Sequence, residues 1–132
     1  MRSHRGRLSE LTLCCPKLRR SLGYSYSMLF ELVRLDVREN RLESLDLSDL
    51  HYLLELDATQ NRLSEVCLAS AETVWLSGNR MSAPPELARE QELRGLQLAY
   101  NELQELPGGQ WRQLEHLDVS HNYLLRRLDS TN

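Results

Sequence analysis

A cysteine and an arginine near the start of this chain have a spacing that could act on a phosphate. Cys14 and Arg20, with Ser21 following, match the C-x5-R pattern in which a thiolate attacks phosphorus while a guanidinium holds the oxygens. That chemistry needs a thiolate of lowered pKa and a loop whose backbone N–H groups converge on the anion. Pro16 lacks one such N–H, no glycine lets the loop close, and Leu13 suits a strand end. The structural explanation is the better one. His116, Asp118 and His121 form a second group. His116 and Asp118 are two apart, so in a strand they share a face, and with His121 they could ligate a metal. Asp118, however, has counterparts at Asp36 and Asp57, and three dispersed N/O groups on an open surface rarely hold zinc. There is no HExxH, GxxxxGK[ST] or GxGxxG motif. The expectation is no catalysis, no cofactor and no resident metal.

Asp118 belongs to a pattern that covers most of the chain. Asn40, Asn61, Asn79, Asn101 and Asn122 each close a copy of L-x-x-L-x-L-x-x-N-x-L. The clear copies are LVRLDVRENRL from Leu32, LLELDATQNRL from Leu53, LRGLQLAYNEL from Leu93 and LEHLDVSHNYL from Leu114. A degraded copy, AETVWLSGNRM, starts at Ala71. A period near twenty residues signals a stacked array. Position four of each copy is Leu11, Leu35, Leu56, Val74, Leu96 or Leu117, and position six is Leu13, Val37, Ala58, Leu76, Leu98 or Val119. This is the period-two rule for the inner face of a strand, so positions three, five and seven should face solvent. An Asn buried inside this frame must be hydrogen-bonded, and its amide supplies both donors and an acceptor for the turn off the strand.

These segments resemble the leucine-rich repeat family. The resemblance implies a solenoid of about six repeats, with a curved parallel sheet on the concave face and a mostly irregular or short-helical convex side. Repeats fall near 8–31, 32–52, 53–70, 71–92, 93–113 and 114–132, after a disordered basic tail at 1–7. The repeat at 53–70 is too short for a helix on its return side. LESLDLSDL at 42–50 alternates apolar and polar residues and predicts an extended return, whereas Pro84 and Pro85 before an Ala/Glu/Arg-rich run predict one or two helical turns. The first repeat carries Pro16 at its Asn position, and no amphipathic cap follows the last. Solenoids need polar caps, so a piece of a longer array, a truncated product without independent function, or a domain finished by a partner is expected, with self-association through uncapped ends as a further outcome.

Composition narrows the function further. The net charge of -3 argues against general nucleic-acid affinity, and no apolar run reaches the roughly 18 residues of a membrane span. The three cysteines form no clustered cap and no signal segment is visible, which predicts a reducing, cytoplasmic setting. The expected function is protein–protein interaction through the concave face, as a scaffold in intracellular signal transduction. Candidate contact residues are Arg34, Asp36, Arg38, Glu55, Asp57, Trp75, Tyr100, His116 and Asp118. Small residues surround Trp75 (Thr73, Ser77, Gly78, Gly95 and Ala99), so it should stand in a shallow depression. A partner would place an apolar group over Trp75 and a basic group near Asp57. The competing explanation makes the aspartates structural and pairs Arg34 with Glu55 across neighbouring strands.

Residues 32–63 also resemble the repeats of PH-domain leucine-rich-repeat protein phosphatases, which run LDVR-acidic-Asn into an LxxLDL return. That resemblance implies a target-recruiting repeat region whose phosphatase domain lies elsewhere. No catalytic residue can be carried over from it.

Overall fold

The computed structural model describes the backbone of Glu10–Thr12 and residues 31–104, 106 and 111–124. Cys14, Cys15, Pro16 and Arg20, and the expectation of a basic tail at 1–7, lie outside the described residues. Strands β1 (Glu10–Thr12), β2 (Arg34–Asp36), β4 (Glu55–Asp57), β6 (Thr73–Trp75), β8 (Gly95–Gln97) and β9 (His116–Asp118) form one six-stranded parallel sheet in that spatial order. The register aligns equivalent repeat positions. Leu35 faces Leu56, Leu56 faces Val74, Val74 faces Leu96 and Leu96 faces Leu117. Each strand is three residues long because only positions three to five run straight before the chain bends toward its asparagine.

A second, three-stranded parallel sheet covers the return side: β3 (Ser44–Leu47), β5 (Glu65–Leu68) and β7 (Glu86–Leu87). The alternation at 42–50 is therefore an extended return, with Leu45 and Leu47 buried and Asp46 exposed. The short 53–70 repeat returns through a strand as well. The expectation of helical turns after Pro84 and Pro85 needs correction. Glu86 and Leu87 pair with Cys67 and Leu68, and only Glu90–Glu92 forms a 3-10 turn. The backbone N–H groups of Ala88 and Arg89 continue this return-side pairing, to the Leu68 and Ala69 carbonyls. Their engagement by the neighbouring repeat leaves too few free residues for an α-helix, however strong the local propensity.

Between the sheets lies a dry core. Leu32, Leu35, Leu53, Leu56, Leu63, Val74, Leu76, Leu93, Leu96 and Leu98 are all buried, each stabilising the fold by about 1.5–3 kcal/mol for a side chain of this size. Leu106, Trp111, Leu114 and Val119 pack partly buried against it. Position four of the last strand departs from the inward rule, because Leu117 is 41% exposed. It stands on β9, the edge of the sheet, and has a neighbour on one side only among the described strands. Ala99 and Gly95, expected to face solvent, are buried; small side chains on a concave surface are shielded by their taller neighbours.

The asparagines join the repeats to one another. The Asn61 amide donates to the Ala58 carbonyl of its own turn and the Val37 carbonyl of the preceding one, both at 3.0 Å. Its oxygen accepts from the Leu42 N–H at 3.1 Å. Asn79, Asn101 and Asn122 repeat this arrangement one turn further on each time. An aspartate has no N–H to give these carbonyls. The residue before each asparagine is left-handed: Glu39, Gln60, Tyr100 and His121 have φ between 57° and 60°, and Gly78 has 75°. That conformation turns the chain while its N–H still bonds the next repeat, as from Glu39 to the Thr59 carbonyl at 2.9 Å.

Candidate interaction surface

Strand positions three, five and seven line the concave face, and most of their charges are already engaged. Asp57 Oδ1 accepts from the Thr59 N–H at 3.1 Å and the Thr59 hydroxyl at 2.7 Å. Asp36 Oδ1 accepts from the Arg38 N–H and Nε, both at 3.1 Å, and Asp118 Oδ1 accepts from the Ser120 N–H at 2.9 Å. Arg38 reaches Asp36 at 3.0 Å and Asp57 at 3.5 Å, and Arg34 reaches Glu55 at 3.5 Å. Hydrogen bonds from Ser120 hold the Asp118 carboxyl below its ordinary range, first from the backbone and then from the side chain. The Asp36 hydrogen bond and charge, with Asp57 behind them, raise Arg38. The aspartates thus brace the bend from strand to turn, and Arg38 ties two neighbouring repeats. The basic partner group expected near Asp57 would have to compete with Arg38 and Thr59.

Trp75 sits on β6, in register with Asp57 on one side and Gln97 on the other, and is half-buried. The more open aromatic surface lies at the turn edge of the same face. Tyr100 is 57% exposed and stacks on His121, with ring centres 4.2 Å apart and planes 6° from parallel. His121 Nδ1 lies 2.9 Å from the Tyr123 hydroxyl, and Tyr123 is 82% exposed. On the other side of Tyr100 stands Gly78, where the Gln60 side chain packs so closely that an added Cβ would meet its Cγ at 3.1 Å. Sequence reasoning named Tyr100 as a contact residue and placed His121 beside it at position eight, but weighed His121 mainly as a metal candidate and passed over Tyr123. The available signal was the run of aromatics flanking consecutive asparagines, in AYNE at 99–102 and SHNY at 120–123. Glu55 and His116 lie at position three of β4 and β9, opposite Arg34 and Gly95.

No group of His, Cys, Asp or Glu among the described residues is arranged to hold a metal ion. His121 is engaged with the two tyrosines instead. Cys67 lies half-buried on the return sheet with Glu86 3.9 Å from its sulfur. Burial first, and then the Glu86, Asp46 and Glu65 charges, push its thiol up, so it is a poor nucleophile.

Parallel strands repeating in register, with an asparagine ladder behind each turn, define the architecture, and residues 113–131 match the family model described as Leucine Rich Repeat. The fold is a leucine-rich repeat solenoid. A curated relative, an adenylate cyclase from Podospora anserina, is 35% identical over 130 residues, covering 83% of this chain. The chain spans 6% of that protein's length. Leucine-rich repeat arrays generally mediate protein–protein interaction, because their stacked strands offer an extended, preformed surface. None of the helices among the described residues is long and apolar enough to cross a membrane.

Proposed function

We propose that this chain is a protein-binding module whose contact surface centres on Trp75 and Tyr100, with His121 and Tyr123 extending it along the turn edge. The observation that carries this reading is the Tyr100–His121 stack, an open aromatic pair held in one orientation before any partner arrives. Both residues sit in left-handed turns, and the Tyr100 N–H bonds to the Ser120 carbonyl of the next repeat at 3.0 Å. An aromatic on a rigid support loses little entropy on binding, and Trp and Tyr are frequent interface anchors. Arg34, Asp36, Arg38, Glu55, Asp57, His116 and Asp118 surround this centre as a polar rim that sets orientation.

The module serves within a signalling protein, in a reducing, cytoplasmic compartment. Two likenesses motivate the signalling role, though not the compartment: residues 32–63 to phosphatase repeat regions, and the aligned segment to a small part of an adenylate cyclase. What the chain shares with such enzymes on this reading is recruitment and not turnover. Purified chain should show neither phosphatase nor cyclase activity. Quantitative pull-downs should show Trp75→Ala and Tyr100→Ala each losing about 1–3 kcal/mol of partner binding, with the circular dichroism of the fold unchanged. Retention of every partner by both variants would reject the patch.

A further inference from the structure

Position ten of three successive repeats is an arginine: Arg41, Arg62 and Arg80, directly after Asn40, Asn61 and Asn79. All three are exposed. The backbone stacks them with the precision of the asparagine ladder, since Arg62 N–H donates to the Leu42 carbonyl and Arg80 N–H to the Leu63 carbonyl, each at 2.8 Å. Arg34, Arg38, Arg89 and Arg94 are each paired with a carboxylate. Among the described residues no such partner engages Arg41, Arg62 or Arg80. Around Arg62 and Arg80 the neighbouring turn positions are uncharged, namely Gln60, Gly78, Ser64 and Ser82. Glu39 and Glu43 flank Arg41, and Glu102 takes the next place in the column.

We propose that this arginine column is a docking ledge for a short acidic peptide segment of a protein partner. Two repeat steps of ~4.8 Å give a ledge of about 10 Å, which an extended chain crosses in roughly three residues. In an extended run of aspartates or glutamates alternate side chains face the ledge, and the planar N–H forks of the guanidinium groups match their carboxylates. The acidic boundaries select a short segment. A long polyanion such as single-stranded nucleic acid, continuing along the edge, runs into Glu102 beyond Arg80 and the Glu39 and Glu43 pair beside Arg41. The inference shares with the proposed function only the premise that the chain binds protein, and it rests on different residues.

Fluorescence anisotropy on the full chain tests it, with three labelled probes: a short peptide carrying a run of glutamates, the same peptide with glutamines, and an oligothymidylate. The wild type should bind the glutamate peptide and ignore the glutamine one. The combined variant R41Q/R62Q/R80Q should bind the glutamate peptide roughly 10-fold more weakly, the sum of three exposed charge contacts. Lysines at the same positions should give an intermediate value, because they keep charge but lose the fork. Trp75→Ala should bind this peptide as the wild type does, which separates the ledge from the aromatic surface. Circular dichroism of the combined variant checks that the fold is intact. Equal affinity of wild type and combined variant, equal affinity for the two peptides, no binding of the glutamate peptide, or tighter binding of the oligonucleotide would each overturn the proposal.

Discussion

The side-chain amide of Asn101 donates to the main-chain carbonyl of Leu76 at 2.9 Å, although twenty-five residues separate the two. The same amide reaches the Leu98 carbonyl at 3.1 Å, and its oxygen accepts from the Met81 N–H at 2.9 Å. One buried side chain therefore satisfies main-chain groups of two successive turns. Asn101→Ala leaves those groups buried without partners and should cost about 2–4 kcal/mol in urea unfolding. Asn101→Asp should cost a similar amount at neutral pH, since it keeps the acceptor but loses both donors. Stability within a few tenths of a kcal/mol of wild type for the alanine variant would remove the ladder from any account of the fold.

Leu96 and Leu117 are register partners with different surroundings. Leu96 is fully buried, while Leu117 on the edge strand is 41% exposed. Leu96→Ala should lose about 2–5 kcal/mol, and Leu117→Ala about 1 kcal/mol or less, by chemical denaturation. Equal losses would mean that the β9 edge is covered in solution.

Acid should weaken the fold through the Asp–x–Ser turns. Ser48, by its hydroxyl and then its backbone N–H, lowers Asp46, and Ser120 lowers Asp118. A carboxyl depressed in the folded state contributes its full stabilisation above the unfolded value of about 3.9. That contribution fades as pH falls through the lower folded value. Asparagine keeps an accepting oxygen but cannot titrate. The double variant D46N/D118N should therefore show a flatter loss of urea midpoint between about pH 5 and pH 2 than the wild type. Identical slopes would exclude these two groups as acid sensors.

Glu39 holds φ 58° where a glycine would be unstrained, and Gly78 occupies the equivalent turn at φ 75°. Glu39→Gly should raise stability by about 0.5–1 kcal/mol, the relief of left-handed strain less the added freedom of the unfolded chain. Gly78→Ala should lower it by about 1–2 kcal/mol, because the new methyl also crowds Gln60 at 3.1 Å. Thermal melts of the two variants should move in opposite directions.

How much of this was legible beforehand depends on the range of the interaction. Spacing alone determined the strand positions, the inward Leu35, Leu56, Val74 and Leu96, and the placement of each asparagine. Those features arise from the period-two strand and from one polar group that must be satisfied, and both are local. The return side was only half legible. LESLDLSDL alternates and is extended, but the helix-forming run after Pro85 yields a strand and a single 3-10 turn.

Tertiary structure decided the rest, because it set which neighbours each residue meets. Leu68 and Ala69 hold the chain after Leu87 extended, and that pairing outweighs the helical preference of its sequence. Ring stacking across a repeat step turned His121 from an isolated imidazole into the support of Tyr100. Asp57 was engaged by Thr59 and Arg38, while Arg62 and Arg80 kept open guanidinium groups. A one-dimensional pattern specifies what each repeat buries; lateral contacts between repeats, which no single repeat encodes, leave particular side chains available.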